Sequence, residues 1–135
     1  MKTASFFTFT GEGRVSIARY APRATPAGFR VFASLAPGPW FNKVGGDEYK
    51  RRFATEIIGR LDPAETWDRL HQLVAPGVEP VLLCWEKPPW TEENFCHRRI
   101  VAEWFGEKLG FTIDEMPLPA PPPKRAQAAA PLFRR

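Results

Sequence analysis

The sequence predicts an α/β fold: a single compact domain in which a mostly parallel sheet is flanked by helices, giving three layers. Residues 81–85 are apolar without polar alternation, which is typical of a strand buried on both faces of a parallel sheet. Two helical patterns, at residues 47–61 and from residue 62 onward, precede this run, and a third follows it. A chain of 135 residues is long enough for one domain with a real core and too short for two.

The first part of the chain predicts three short strands. Residues 3–10 alternate loosely and are rich in aromatic and hydroxyl side chains, while residues 15–19 and 29–33 are short strand-like runs. Residues 35–40 contain two prolines around a glycine, so this segment is expected to be a loop.

The two helices before the central strand have clear signals. Apolar residues recur every fourth position in residues 47–61 and form the predicted buried stripe, which consists of Tyr49, Phe53, Ile57 and Leu61. The next helix has a strong start signal, because Asp62 can cap it, Pro63 suits the first helical position and Glu65 can complete a capping box.

The third helix follows the central strand after a proline-marked loop. Asn94 is favoured as its N-cap, with Thr91 as the alternative. With Asn94 as cap, the first turn contains Cys96, His97 and Arg98. Gly110 is expected to end this helix, and residues 111–113 are expected to add an edge strand.

Composition divides the chain into an α/β domain, residues 1–116, and a tail, residues 117–135, that is rich in proline and alanine and is predicted to be disordered. Four of the 19 basic residues lie in this tail without an acidic neighbour. The remaining basic residues balance the 15 acidic ones, so the formal charge of +4 belongs to the tail. Such a tail can bind nucleic acid weakly, and its apolar pair, Leu132 and Phe133, can anchor in a groove of a protein partner.

Targeting signals are not visible in the sequence. No segment resembles a signal peptide or a membrane span, which predicts a cytoplasmic protein without a membrane partner. In that compartment Cys84 and Cys96 are expected to be reduced thiols and not a structural bridge. We expect a monomer or a weak dimer, and the sequence requires no cofactor.

Reactive side chains gather where the central strand ends and the third helix begins. Cys84 and Glu86 follow the strand, and Cys96 and His97 open the helix, so all four are expected at one corner, where ligands bind in α/β sheets. They are the catalytic candidates: the helix amino end lowers the pKa of the Cys96 thiol, and His97 or Glu86 carries a proton. Each also has a structural interpretation, such as core packing for Cys84 and a carbonyl hydrogen bond for His97.

Other side chains are candidates for holding a ligand at this corner. Helix amides together with two arginines would bind an anionic group, and an aromatic ring could stack on a base. The predicted ligand-binding residues are Arg19, Arg98, Tyr20 and Ser16. A metal site is not favoured, because adjacent cysteine and histidine without a C-x-x-C motif are atypical of zinc. If a metal is present, its ligands are Cys84, Cys96 and His97.

Taken together, these segments resemble the family of the domain of unknown function 488, in its short bacterial and phage-borne form. The matching pieces are Ser5-Phe6-Phe7, residues 16–22, Leu35-Ala36-Pro37, Tyr49, Leu61-Asp62-Pro63, residues 82–86 and Cys96-His97-Arg98. The resemblance implies a compact α/β domain and carries no established activity. It directs attention to Arg19, Cys84, Glu86, Cys96, His97 and Arg98. Residues 88–93 are a long insert relative to the family pattern, which leaves the distance between the two cysteines open.

The sequence supports three hypotheses of function. The first is an enzyme or sensor that binds or acts on an anionic ligand, such as a nucleotide or a nucleic-acid end. The second is a non-catalytic adaptor that docks on nucleic acid or a replication partner through the basic tail. The third is a zinc or iron site at the two cysteines and His97. The sequence contains no glycine-rich phosphate loop and no serine-histidine-acid order, so these familiar chemistries are not predicted.

Overall fold

The computed structural model describes residues 1–119 and contains one five-stranded sheet in which every pairing is parallel. The strands are β1 (Lys2–Ser5), β2 (Arg14–Ser16), β3 (Arg30–Val31), β4 (Val81–Cys84) and β5 (Asp114–Glu115), in the spatial order β3-β2-β4-β1-β5. The helices are α1 (Gly46–Arg52), α2 (Pro63–Gln72) and α3 (His97–Leu109). The predicted α/β class with a parallel sheet is therefore confirmed.

The central strand of the sheet is β4, whose four residues are all buried. It pairs with β1 on one side, where Ser5 is the partner of Cys84, and with β2 on the other, where Ser16 is the partner of Leu83. Because the three strands are parallel and in this register, their carboxyl ends meet at one edge of the sheet. This edge is where a ligand site is expected in an α/β sheet.

The two faces of the sheet are covered by different kinds of segment. On one face, helix side chains such as Leu70 and Phe105 pack with Val15 and Leu82 in one apolar cluster. On the other face the third layer is made of loop segments, whose apolar side chains are Phe6, Phe9, Ala21, Phe29, Trp90 and Met116. Cys84 and Cys96 belong to this second cluster.

The helix predicted over residues 47–61 is not continuous. α1 ends at Arg52, and a wide turn over Phe53–Ile57 and a 3-10 turn over Ile58–Arg60 follow. The wide turn changes which side chains face the core, because Phe53 and Ile58 become buried and Ile57 is only partly buried. The last two residues of the predicted stripe, Ile57 and Leu61, still pack against the core but are only partly buried. Ile58 takes the next buried position, since the wide turn adds a residue before it.

The start of α2 agrees with its sequence signal, and the start of α3 does not. The side chain of Asp62 accepts a hydrogen bond from the main-chain N–H of Glu65, at 2.8 Å. α3 begins at His97 with Cys96 as N-cap, so the predicted cap at Asn94 is wrong. The Asn94 side chain instead donates hydrogen bonds to the carbonyls of Lys87 and Pro89, which uses it to brace the preceding loop.

The strands are shorter than predicted, and the last one lies later in the chain. Gly110 ends α3 with a positive φ of 79°, as expected of a C-cap glycine. The edge strand is Asp114–Glu115, which pairs with β1, and not residues 111–113. Both of its residues are polar, so no apolar alternation marks this strand in the sequence. One of them, Glu115, forms an ion pair with Arg98.

Predictions about the tail concern residues that the structure mostly does not describe. Residues 120–135, including Leu132 and Phe133, lie outside the described residues, so the proposed partner contact and the tail boundary stay predictions. Among the helices of residues 1–119, none has the length and apolar character needed to cross a membrane.

Candidate functional site

A cleft of about 720 Å³ opens at the carboxyl ends of β2 and β4. Its walls come from the segments after these two strands, from the start of α1 and from the loop before α3. The lining residues are Ala18, Arg19, Tyr20, Pro37, Phe41, Val44, Gly46, Tyr49, Cys84, Trp85, Glu86, Glu92, Glu93, Phe95, Cys96 and His97. This volume lies within the range of small-molecule sites.

The two cysteines and His97 meet at the base of this cleft. The sulfur atoms of Cys84 and Cys96 are in direct contact and are paired as a disulfide, with Cα atoms 7.1 Å apart. The two sulfurs meet because the end of β4 and the N-cap of α3 lie side by side. The Cα separation is wider than disulfides usually span, so the reduced thiols that the sequence predicts stay a prediction. All three side chains are buried, and their donor atoms lie within 4.8 Å of one another.

His97 is held as a neutral imidazole with a defined orientation. Its Nε2 lies 2.6 Å from the main-chain carbonyl oxygen of Ile17, which can only accept, so Nε2 carries the proton. Its Nδ1 then presents a lone pair toward the sulfur of Cys96, 3.9 Å away. Burial lowers the pKa of His97 to about 4, and the nearby Arg98 guanidinium adds to the effect against the opposing hydrogen bond to Ile17.

Arg98, which the sequence predicts to bind an anionic ligand, lies beneath the site and does not line the cleft. Its side chain is fully buried, and its Nε and Nη2 donate to the two carboxylate oxygens of Glu115, at 2.9 and 2.6 Å. Its Nη1 donates to the sulfur of Cys84, at 3.1 Å, and its guanidinium lies 4.8 Å from the centre of the Trp90 ring. In the reduced protein this guanidinium would stabilise a thiolate at Cys84, while Glu115 balances its charge.

The other predicted ligand-binding residues have different positions. Arg19 and Tyr20 line the cleft and are exposed, and the guanidinium of Arg19 also donates to the carbonyl of Pro37, at 3.3 Å. Ser16 is buried in β2 and does not line the cleft; its hydroxyl accepts a hydrogen bond from the N–H of Ala18. Ser16 thus shapes the backbone at the end of β2.

Carboxylates outnumber basic groups around the cleft. Glu86 lies at the end of β4, with its Oε1 4.0 Å from the sulfur of Cys84, and Glu92 and Glu93 lie on the loop before α3. All three are exposed, and Arg19 is the one basic side chain among the described lining residues. The cleft therefore has a negative balance of charge.

Sequence reasoning misses two residues that the structure brings to the site, Tyr49 and Glu115. Tyr49 is predicted to be a core residue, yet it lines the cleft, where its ring packs edge-on against Phe95 at 5.1 Å. Burial and the carboxylate of Glu86 raise the pKa of Tyr49, so its hydroxyl stays protonated. The partner of Arg98, Glu115, carries no motif. The only available signal for Tyr49 is its place among the pieces that carry the family resemblance.

Comparison with known protein families gives a match over most of the described chain. The family model described as "Domain of unknown function DUF488" matches residues 19–105, which is well over half of the chain and includes the whole base of the cleft. The pieces of the resemblance before Arg19 lie outside the matched range. No curated protein and no solved structure matches the chain.

Proposed function

The chain belongs to the family of the domain of unknown function DUF488, and because that description names no activity, we propose from the site itself that the domain binds a divalent transition metal ion such as zinc. The ligands are Cys84, Cys96 and His97, and the ion faces the cleft. The observation that carries this proposal is the convergence of three buried donor atoms within 4.8 Å of one another.

The donor chemistry and the spacing suit zinc. Zinc in proteins is bound by thiolate sulfur and imidazole nitrogen, and Zn–S bonds of about 2.3 Å with Zn–N bonds of about 2.0 Å put tetrahedral donors roughly 3.5–3.8 Å apart. Cys96 Sγ and His97 Nδ1 are already 3.9 Å apart. The two sulfurs must be reduced and must separate to admit an ion. Their Cα separation of 7.1 Å leaves room for this, since disulfides usually span about 4.4–6.8 Å.

Neighbouring groups support the ligands in the way metal sites require. A histidine ligand usually donates its second N–H to a carbonyl or carboxylate, which fixes its tautomer, and Ile17 accepts this bond from His97. The guanidinium of Arg98 donates to the sulfur of Cys84 and is itself held by Glu115. The imidazole of His97 and the guanidinium of Arg98 are therefore already oriented, whereas the two sulfurs would have to move apart to admit an ion.

The three proposed ligands line the cleft, so an ion bound by them could act on a molecule held there. Three protein ligands leave a fourth position open for water or substrate, which is the pattern of catalytic zinc sites. An ion held there would supply an activated water, and Glu86, beside Cys84, would accept its proton. We therefore propose metal-assisted hydrolytic chemistry on a ligand held in the cleft.

A metal-free thiol pair is the second candidate, because the two sulfurs are in direct contact. In that case the pair cycles between two thiols and a disulfide, and it transfers two electrons and two protons to an external disulfide or peroxide. His97 Nδ1 would accept a thiol proton, and Arg98 would stabilise the Cys84 thiolate. The low exposure of both cysteines, at 1% and 2%, favours an ion over a bulky disulfide partner.

The hypothesis of an anionic ligand has less support. Arg98 is occupied by Glu115, and three carboxylates line the cleft with Arg19. The adaptor hypothesis depends on residues beyond Pro119, and it stays a prediction about the tail.

Cobalt(II) titration of the reduced, metal-free protein tests the proposal. A thiolate–cobalt complex absorbs strongly in the near-ultraviolet and visible range, so we expect saturation at one equivalent of metal. Cys96→Ser and His97→Gln should weaken binding by about 10-fold or more, while His71→Gln, which changes the other histidine, should leave it unchanged. If no thiolate–cobalt absorption forms, and the reduced protein instead reduces an added disulfide, the thiol pair replaces the metal site.

A further inference from the structure

The aromatic walls and the charge of the cleft carry an inference about its ligand. We propose that the cleft binds a flat heteroaromatic amine without a phosphate group, such as a nucleobase or a nucleoside, next to the proposed metal ion. This inference rests on the proposed function only for the position of the ligand beside the ion.

The cleft has the size and walls that suit a flat ring. Its volume of about 720 Å³ fits a small organic molecule. The rings of Tyr20 and Trp85 are 64% and 44% exposed on its rim, and the rings of Phe41, Tyr49 and Phe95 line it deeper. Exposed aromatic rings at a cleft can stack on a base.

The walls are also held in place before a ligand binds. The indole N–H of Trp85 donates to the carbonyl of Tyr20, at 2.7 Å, which ties the segments after β4 and β2 together. The Tyr20 ring packs against Phe41, with centroids 6.1 Å apart. A rim fixed in this way loses less entropy when it binds a ring.

The charges around the ring site select against phosphate. Glu86, Glu92 and Glu93 line the cleft with Arg19 as the opposing charge among the described lining residues. Carboxylates accept hydrogen bonds from ring amino groups and repel a phosphate group with its charge of nearly −2. A nucleoside should therefore bind more tightly than the same nucleoside carrying a 5′-phosphate.

Matched pairs of ligands test this inference by calorimetry on the full chain. Adenosine and cytidine are titrated beside their 5′-monophosphates, in low and in high salt. We expect at least one nucleoside to bind about 10-fold more tightly than its monophosphate in low salt, with a smaller ratio in high salt. Equal or tighter binding of the monophosphates overturns the proposal, and so does the absence of binding by all four compounds.

Variants separate the charge of the cleft from the charge of the whole protein. Glu92→Gln with Glu93→Gln should lower the ratio between nucleoside and monophosphate toward one. Glu12→Gln with Glu107→Gln removes the same charge from exposed positions outside the cleft and should leave the ratio unchanged. An equal effect of both double variants overturns the proposal.

The same protein also distinguishes the two proposals from each other. Cys96→Ser should weaken cobalt binding by about 10-fold or more, whereas the selection against phosphate should persist, because the rim does not include the ion. If wild-type protein binds no metal and still prefers nucleosides, the metal site fails and the ring site stands. If metal binds and the monophosphates bind as tightly as the nucleosides, the ring site fails alone.

Discussion

The imidazole of His97 donates its Nε2 proton to the main-chain carbonyl oxygen of Ile17, 2.6 Å away. This bond joins the first residue of α3 to the segment just after β2. It leaves Nδ1 facing the sulfur of Cys96, so one contact both anchors the helix start and aims a nitrogen lone pair at the cysteines. The proposed metal site depends on this relationship.

The buried pair of Arg98 and Glu115 should be important for stability. Replacing Arg98 with Met leaves the Glu115 carboxylate partly buried without a partner, and we expect a loss of about 3–5 kcal/mol in the free energy of unfolding, measured with urea. Arg52→Met is the matched control, because Arg52 pairs with Glu48 and Glu56 on the surface and should cost less than about 1 kcal/mol. Similar losses of unfolding free energy for the two variants would show that the buried pair contributes no more to stability than the surface pairs.

Stability should fall in acid through His97. Its pKa is lowered from 6.5 to about 4 in the folded protein, so the unfolded state binds more protons between these pH values. The stabilising contribution is complete above pH 6.5 and is lost as pH falls toward 4, by up to about 3 kcal/mol in metal-free protein.

Urea unfolding at several pH values checks this expectation. Between pH 6.5 and 4, the free energy of unfolding should depend less on pH in His97→Gln than in the wild type, because the contribution of His97 is removed. His71→Gln should keep the pH dependence of the wild type. A slope that is the same in wild type and in His97→Gln would contradict the buried neutral imidazole.

Bound zinc should protect both cysteines from alkylation. We expect alkylation of Cys84 and Cys96 in the reduced protein to slow by about 10-fold or more with one equivalent of zinc, since a metal-bound sulfur is less available as a nucleophile. A chelator should restore the rate. Peptide mass spectrometry measures the alkylation rate of each cysteine separately. Protection of only one of them would rule out a shared ion.

The end of α3 should require glycine at position 110. Gly110 has a φ of 79°, and an added Cβ meets no atom within 4 Å, so Gly110→Ala should cost about 1 kcal/mol through backbone conformation alone. Gly45, the N-cap of α1, also has free space for a Cβ but has a negative φ of −74°. In Gly45→Ala the weaker capping by alanine and the smaller backbone entropy of the unfolded chain oppose each other, so we expect a change of only about a few tenths of a kcal/mol in the free energy of unfolding. Thermal unfolding of both variants measures the difference, which the account requires to be clearly larger at Gly110.

The sequence predicts the parts of the fold that local patterns encode. The apolar run of β4, the cap of α2 at Asp62 and the stop of α3 at Gly110 all agree with the structure. β5 could not be found in this way, because Asp114 and Glu115 are polar and form a strand only through pairing with β1.

The convergence of the candidate site residues was predictable from the sequence, and their geometry was less so. Cys84 and His97 could be placed at one corner because a strand end and a helix start adjoin in the sequence pattern. The direction of Arg98 could not be predicted, because it depends on Glu115, which lies 17 residues further along the chain. The negative charge of the cleft also arises from tertiary structure, since the exposed loop carrying Glu92 and Glu93 forms one of its walls.

Zinc content after equilibrium dialysis is the most direct test of the metal site. The reduced full-length protein is dialysed with zinc and freed of excess metal, and its zinc content is measured by elemental mass spectrometry. The double variant Cys84→Ser with Cys96→Ser is treated in the same way for comparison. The account predicts one zinc ion per chain in the wild type and none in the variant. A wild-type protein without zinc, or a variant that keeps its zinc, would contradict it.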